Sequence, residues 1–112
     1  MDKELYILWT SADPVTAEKM VFMYAGNSLK NGWWKKVTVI IWGATAELSA
    51  KNENIRKGIA TLVDQKVQVS ACKACADQLG VTELLENLGV EVKYWGEPLT
   101  EILQSGKKLI SV

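Results

Sequence analysis

Residues 66–81 read Lys66-Val67-Gln68-Val69-Ser70-Ala71-Cys72-Lys73-Ala74-Cys75-Ala76-Asp77-Gln78-Leu79-Gly80-Val81, and this stretch decides the fold. Residues 66–71 form a short apolar strand signal. A short helix follows to Leu79, and Gly80 stops it. Cys72 stands where strand hands over to helix, and Cys72 and Cys75 are the two cysteines of the chain. A thiol at a helix start faces unpaired backbone N–H groups and the positive end of the helix dipole, which favours thiolate. Lys73 adds a positive charge beside it. The residues put sulfur chemistry first among the functions open to this chain.

Working outward, residues 4–10 read as an apolar strand, followed by Asp13 as N-cap and Pro14 as first helical residue. That helix is expected over residues 14–29, ending near Asn31-Gly32. Residues 36–42 are a β-branched strand ending at Gly43. Residues 44–50 are a short helix or ordered loop, and Asn52 opens a helix with Ile55, Ile59, Leu62 and Val63 at helical spacing. After the quoted stretch, residues 82–88 are helical with Gly89 as stop, and residues 90–95 form a fourth strand whose alternation suggests one solvated face. A helix starting at Gly96-Glu97-Pro98 runs to about Ser105 with Gly106 as stop. Residues 107–112 make a closing strand. Strands alternating with helices imply a parallel sheet with helices on both faces.

The totals narrow the function. The chain has 112 residues, enough for one domain spanning 1–112 with a continuous core. It carries 13 basic and 13 acidic residues, a net charge of zero, and no basic run, so nucleic acid is not an expected partner. No stretch approaches a membrane span, and the charged start lacks the order of a signal peptide, which points to the cytoplasm. Histidine is absent. That removes the usual general base and zinc ligand, and two cysteines alone cannot complete a tetrahedral zinc site, so no metal is expected.

In open parallel sheets, ligands bind beyond the carboxyl ends of the strands. Those ends are Trp9-Thr10-Ser11, Trp42-Gly43, Ala71-Cys72 and Trp95-Gly96-Glu97. Trp9, Trp42 and Trp95 thus share a rim with Cys72. Either they pack as core beneath helix starts, or together with Ser11 and Gly43 they wall an apolar pocket around the sulfur. Trp33-Trp34 falls at the opposite rim, where packing at a helix–strand corner is expected, with a subunit contact as the alternative. Residues 20–25 of the first helix are apolar without a break, more than one sheet-facing stripe requires, so either neighbouring loops of the same chain bury its outer side or, as is expected, that side meets another subunit.

Three readings of the cysteines compete. They are inert buried thiols, a disulfide-forming redox pair, or carriers of sulfur. The order of elements argues against a thioredoxin-like arrangement, because the pair follows the third strand and both prolines are explained as helix starts. A flavodoxin-like phosphate site is rejected, since Ser11-Ala12-Asp13-Pro14 lacks glycine and places an acid where phosphate would sit.

A small chain of this element order, with Cys-x-x-Cys after strand three, a glycine eight residues beyond the first cysteine and a small aliphatic next, resembles the DsrE/DsrF-like family. Here those positions are Cys72, Cys75, Gly80 and Val81. The exit of strand two at Trp42-Gly43-Ala44 and the short closing strand fit the same pattern. The resemblance implies a three-layer α/β/α sandwich with a five-stranded, mainly parallel sheet. It implies a sulfur carrier or sulfurtransferase-type relay protein, with persulfide sulfur on Cys72 and no cofactor. Cys75 matches an extra cysteine of the stand-alone Cys-x-x-Cys branch. The resemblance further implies a homotrimer or homohexamer exchanging sulfur with donor and acceptor proteins. Tryptophan at the rim is a departure from the relay subunits. A thiol–disulfide redox or sensor protein, and a small-ligand-binding module with a tryptophan-lined pocket, are the alternatives.

Overall fold

The computed structural model describes residues 3–112. Strand β1 (Glu4–Trp9) alternates: Leu5, Ile7 and Trp9 are buried, while Glu4, Tyr6 and Leu8 on the other face are half-buried. It pairs with β2 (Lys36–Ile41) on one side and β5 (Lys108–Ser111) on the other. Strand β2 pairs with β3 (Gln68–Cys72), and β3 with the short edge strand β4 (Glu91–Lys93). The order is β4-β3-β2-β1-β5, and every pairing is parallel rather than mainly so.

The connections explain the layers. Helix α1 spans residues 14–30, α2 is Ala44–Lys51, α3 Glu53–Asp64, α4 Lys73–Leu79, α5 Thr82–Asn87 and α6 Gly96–Ser105. From β1 to β4 each crossover steps one strand in the same direction. Right-handed crossovers stepping one way lay their helices on one face. Helices α1 to α5 accordingly share the main core with Leu5, Ile7, Trp9, Val37, Val39, Ile41, Val69 and Ala71. The return from β4 to β5 reverses direction, so α6 covers the second face, where Ile102 packs with Ile40 and Trp95. The outer layers of the sandwich are therefore unequal.

Local chemistry sets the helix ends. The Asp13 carboxylate accepts the Thr16 backbone N–H at 2.9 Å, with Pro14 opening α1. Asn52 caps α3 by accepting the Ile55 N–H at 3.1 Å. The α3 stop differs from its counterparts. Val67 N–H bonds to Leu62 O, and Lys66 N–H to Val63 O, both at 3.0 Å, the pairing of a Schellman motif. Its left-handed position is Lys66, at φ 72°, the one non-glycine residue of positive φ among the described residues. Such a conformation costs an L-residue on the order of 1 kcal/mol relative to glycine.

Within α1, Ala17–Phe22 is π-helical between a first turn Pro14–Thr16 and a regular segment Met23–Lys30. The wider turn shifts the register of the apolar run. Val21 and Ala25 are buried, and Phe22 meets Trp9 edge-on with ring centroids 5.3 Å apart. Phe22 also presses on Gly58, where an added Cβ would lie 2.5 Å from the ring. Met20 and Met23 are left facing outward. Trp34 donates its Nε1–H to the Tyr24 hydroxyl at 3.1 Å, as expected of a helix–strand corner, while Trp33 is exposed. Among the described residues, no helix is long and apolar enough to cross a membrane.

Candidate functional site

Adjacent strands β3 and β4 send their chains to opposite faces of the sheet: β3 into α4 on the main face, β4 into α6 on the other. That divergence is a switch point, the place where open α/β sheets leave a crevice. Cys72 is the last residue of β3 and the N-cap of α4, and it pairs in register with Lys93 of β4. The strand's alternation puts Val69 and Ala71 in the main core and Ser70 and Cys72 toward the second face.

The two thiols are free and close to one another. Cys72 is buried, at 6% exposure, and Cys75 is half-buried. The Cys75 thiol is pushed above its ordinary value by burial and by its hydrogen bond with Cys72, while a bond from the Gly43 backbone N–H pulls the other way. Gly43 is positioned for that contact by neighbouring chemistry. The buried Thr45 hydroxyl donates to Trp9 O at 2.8 Å and accepts the Trp42 N–H at 3.0 Å, tying the ends of β1 and β2 together. Between them Gly43 adopts φ 66°, ψ −124°, a conformation that L-residues avoid. The arrangement thus gathers two thiols with the backbone N–H groups of Gly43 and Cys75, donors that favour a sulfur anion but are outweighed at Cys75 by burial and by Cys72.

Lys73 is directed elsewhere. Its Nζ lies 2.9 Å from the Asp77 carboxylate and 5.8 Å from the centre of the Tyr94 ring. Asp77 also accepts the Thr82 hydroxyl at 2.5 Å. The Thr82 and Lys73 bonds hold the Asp77 carboxyl below its usual range, and Asp77 in turn raises Lys73. Asp77, Thr82 and Tyr94 were not singled out from the sequence. The four-residue spacing of Lys73 and Asp77 is the signal the sequence offers; the contact with Tyr94 crosses from α4 to the segment just after β4 and leaves none.

The tryptophans do not form one wall. Trp9 is fully buried on the α1 side, its Nε1–H donating to Ser11 O at 3.0 Å. Trp42 and Trp95 pack together on the opposite face with Ile40 and Ile102. Trp95 is buried, with its Nε1–H on the Ser70 hydroxyl at 2.8 Å. Ser11 lies on the α1 side, where its backbone N–H bonds to Val112 O at 3.1 Å. Of the rim residues, Gly43 is the one joined to a cysteine. No group of three or more cysteine and acidic side chains among the described residues could hold a metal ion.

A five-stranded parallel α/β sandwich with a dithiol at its switch point defines the class. The sequence profile of the DsrE/DsrF-like family matches residues 3–112, and the chain belongs to that family. A conserved protein of unknown function from Bacteroides thetaiotaomicron is 38% identical, with a TM-score of 0.96 over 98% of this chain and 95% of that one. The ychN protein from E. coli shares the fold at a TM-score of 0.76 and 18% identity, each chain covered in full. No functionally curated protein matches the sequence significantly.

Proposed function

We propose that this protein carries sulfane sulfur on Cys72, with Cys75 as the resolving thiol. The observation that supports it is the contact between the thiols at the switch point, with the Gly43 N–H on the second sulfur. In the loading step the Cys72 thiolate attacks the terminal sulfur of a donor persulfide. A new S–S bond forms on Cys72, and the donor leaves as a thiolate. Onward transfer repeats this exchange with an acceptor thiolate and needs no external oxidant. Alternatively the Cys75 thiolate attacks the inner sulfur of the Cys72 persulfide. That gives a Cys72–Cys75 disulfide and hydrosulfide: the sulfane sulfur is reduced, both cysteines are oxidised, and a dithiol reductant resets the pair.

The thiol contact equally favours a second reading, a disulfide redox or sensor pair. The two separate on intact mass after incubation with glutathione persulfide. The carrier gains one sulfur atom, lost on reduction, and Cys72→Ser abolishes the gain while Cys75→Ser makes it persist. Gain confined to Cys75, the more exposed thiol, would reject Cys72 as carrier; a disulfide with no sulfur gain in any variant would favour the redox pair. The proposed setting is the cytoplasm. The proposed working form is a homotrimer or homohexamer, with Met20 and Met23 of α1 at the contact.

A further inference from the structure

Both faces of a parallel sheet are ordinarily covered by apolar packing. Here α6 covers the second face over β1, β2 and β5, while β3 and β4 leave a groove of about 450 Å³, within the range of small-molecule sites. Its surface is polar. Thr38 and Ser70 are buried hydroxyl residues on two central strands, where apolar side chains are the rule. Ser70 accepts the Trp95 Nε1–H and donates to Glu91, whose carboxylate is 3.1 Å away. Such a face is not prepared for a further apolar layer.

The groove is also cationic. Lys36, Lys66 and Lys93 line it against the single acid Glu91. Lys36 pairs with Glu4 at 3.2 Å, and Lys93 with Glu91 at 3.5 Å while resting 4.7 Å from the centre of the Trp95 ring. Among the described residues Lys66 has no ion pair. It is also the residue held at φ 72°, whereas Gly32, Gly80, Gly89 and Gly106 take the left-handed positions after other helices. A cation anywhere in the last turn would satisfy the α3 dipole. Among the described residues this position alone combines that charge with a conformational cost and a place on the groove, six residues before Cys72 and up to about 20 Å of extended chain away.

We propose that the groove binds a small oxyanion-bearing metabolite, a carboxylate or a phosphate ester, with Lys66 as its anchoring cation and Lys36 and Lys93 beside it. The site runs from the amino ends of β2 and β3, where Lys36 and Lys66 stand, to Lys93 at the end of β4, and it does not use the cysteines.

The test follows the Trp95 indole N–H and the Lys66 amide of the full chain by NMR during titration with inorganic phosphate, with acetate and with chloride at matched ionic strength. A saturable shift with phosphate, acetate or both, absent with chloride, is expected, and which anion binds identifies the ligand's charged group. Lys66→Gly relieves the left-handed conformation, so it should raise the melting temperature while weakening binding at least tenfold. Equal shifts with chloride, no saturation up to about 50 mM, or undiminished binding by Lys66→Gly would each overturn the site. A Cys72→Ser, Cys75→Ser double variant should bind as the wild type does; loss of binding there would also overturn it.

Discussion

At the scale of single residues, Gly43 connects backbone conformation to sulfur chemistry. Alanine there cannot hold φ 66°, ψ −124° without strain, so the peptide would rotate and withdraw its N–H from Cys75. The sign follows from what that donor opposes: burial and Cys72 raise the Cys75 thiol, and Gly43 lowers it. In a Cys72→Ala background, Gly43→Ala should therefore move the pH profile of iodoacetamide alkylation upward and slow the reaction several-fold near pH 8. An unshifted profile would remove Gly43 from the site. The position of Cys72 at a strand–helix junction was legible in residues 66–81, because apolar patterning and a glycine stop are local signals. Gly43's contact was not. It depends on Thr45 tying two strand ends that are distant in sequence. Lys73 shows the reverse case: its charge was visible, but its partner is Asp77.

Among elements, Glu4 ties three strands at their amino ends. It lies on β1 and meets Lys36 of β2 at 3.2 Å and Lys107, next to β5, at 3.7 Å. Burial raises its carboxyl, but the bonds from Lys36 and Tyr6 and the charges of Lys36 and Lys107 prevail and hold it below the ordinary carboxylate value. A carboxyl lowered by folding stabilises the fold above its unfolded value, and that contribution is lost as pH falls through the folded value. Glu4→Gln should thus cost about 0.5 kcal/mol at pH 7, an amount limited by solvent and salt screening. Urea titrations should show the difference shrinking to nothing below the carboxylate range and in high salt. A penalty unchanged at acid pH would mean that the side chain acts by packing instead. The caps of α1 and α3 were readable from Asp13-Pro14 and Asn52, since capping is a contact within a few residues. The π segment of α1 was not, because no local residue signal marks it; its last residue, Phe22, packs on Trp9 from β1 and on Gly58 from α3.

For the whole molecule, the apolar run of α1 bears on assembly. The sequence does not fix which side of this run faces out, and Phe22 is its candidate outward residue; the structure corrects that. Phe22 lies against Trp9 and Gly58, while Met23 is 51% exposed. Light scattering at micromolar concentration should give a trimer or hexamer for the wild type and a folded monomer for Met23→Glu. Phe22→Glu should unfold the chain by placing a charge in the core. A wild-type mass near 12.4 kDa would refute the assembly.

The sequence by itself determined the alternation of strands and helices, the Cys-x-x-Cys junction and the family pattern, because each is carried by neighbours along the chain. Only the tertiary structure decided that the last of the four strand connections reverses, leaving α6 alone on the second face. The pleat already puts Trp9 on one face and Trp42 on the other; the reversal makes the β3–β4 boundary the switch point and leaves the lysine-lined groove uncovered. Which helix covers a side chain depends on strand order in space, and strand order is set by the packing of the whole sheet.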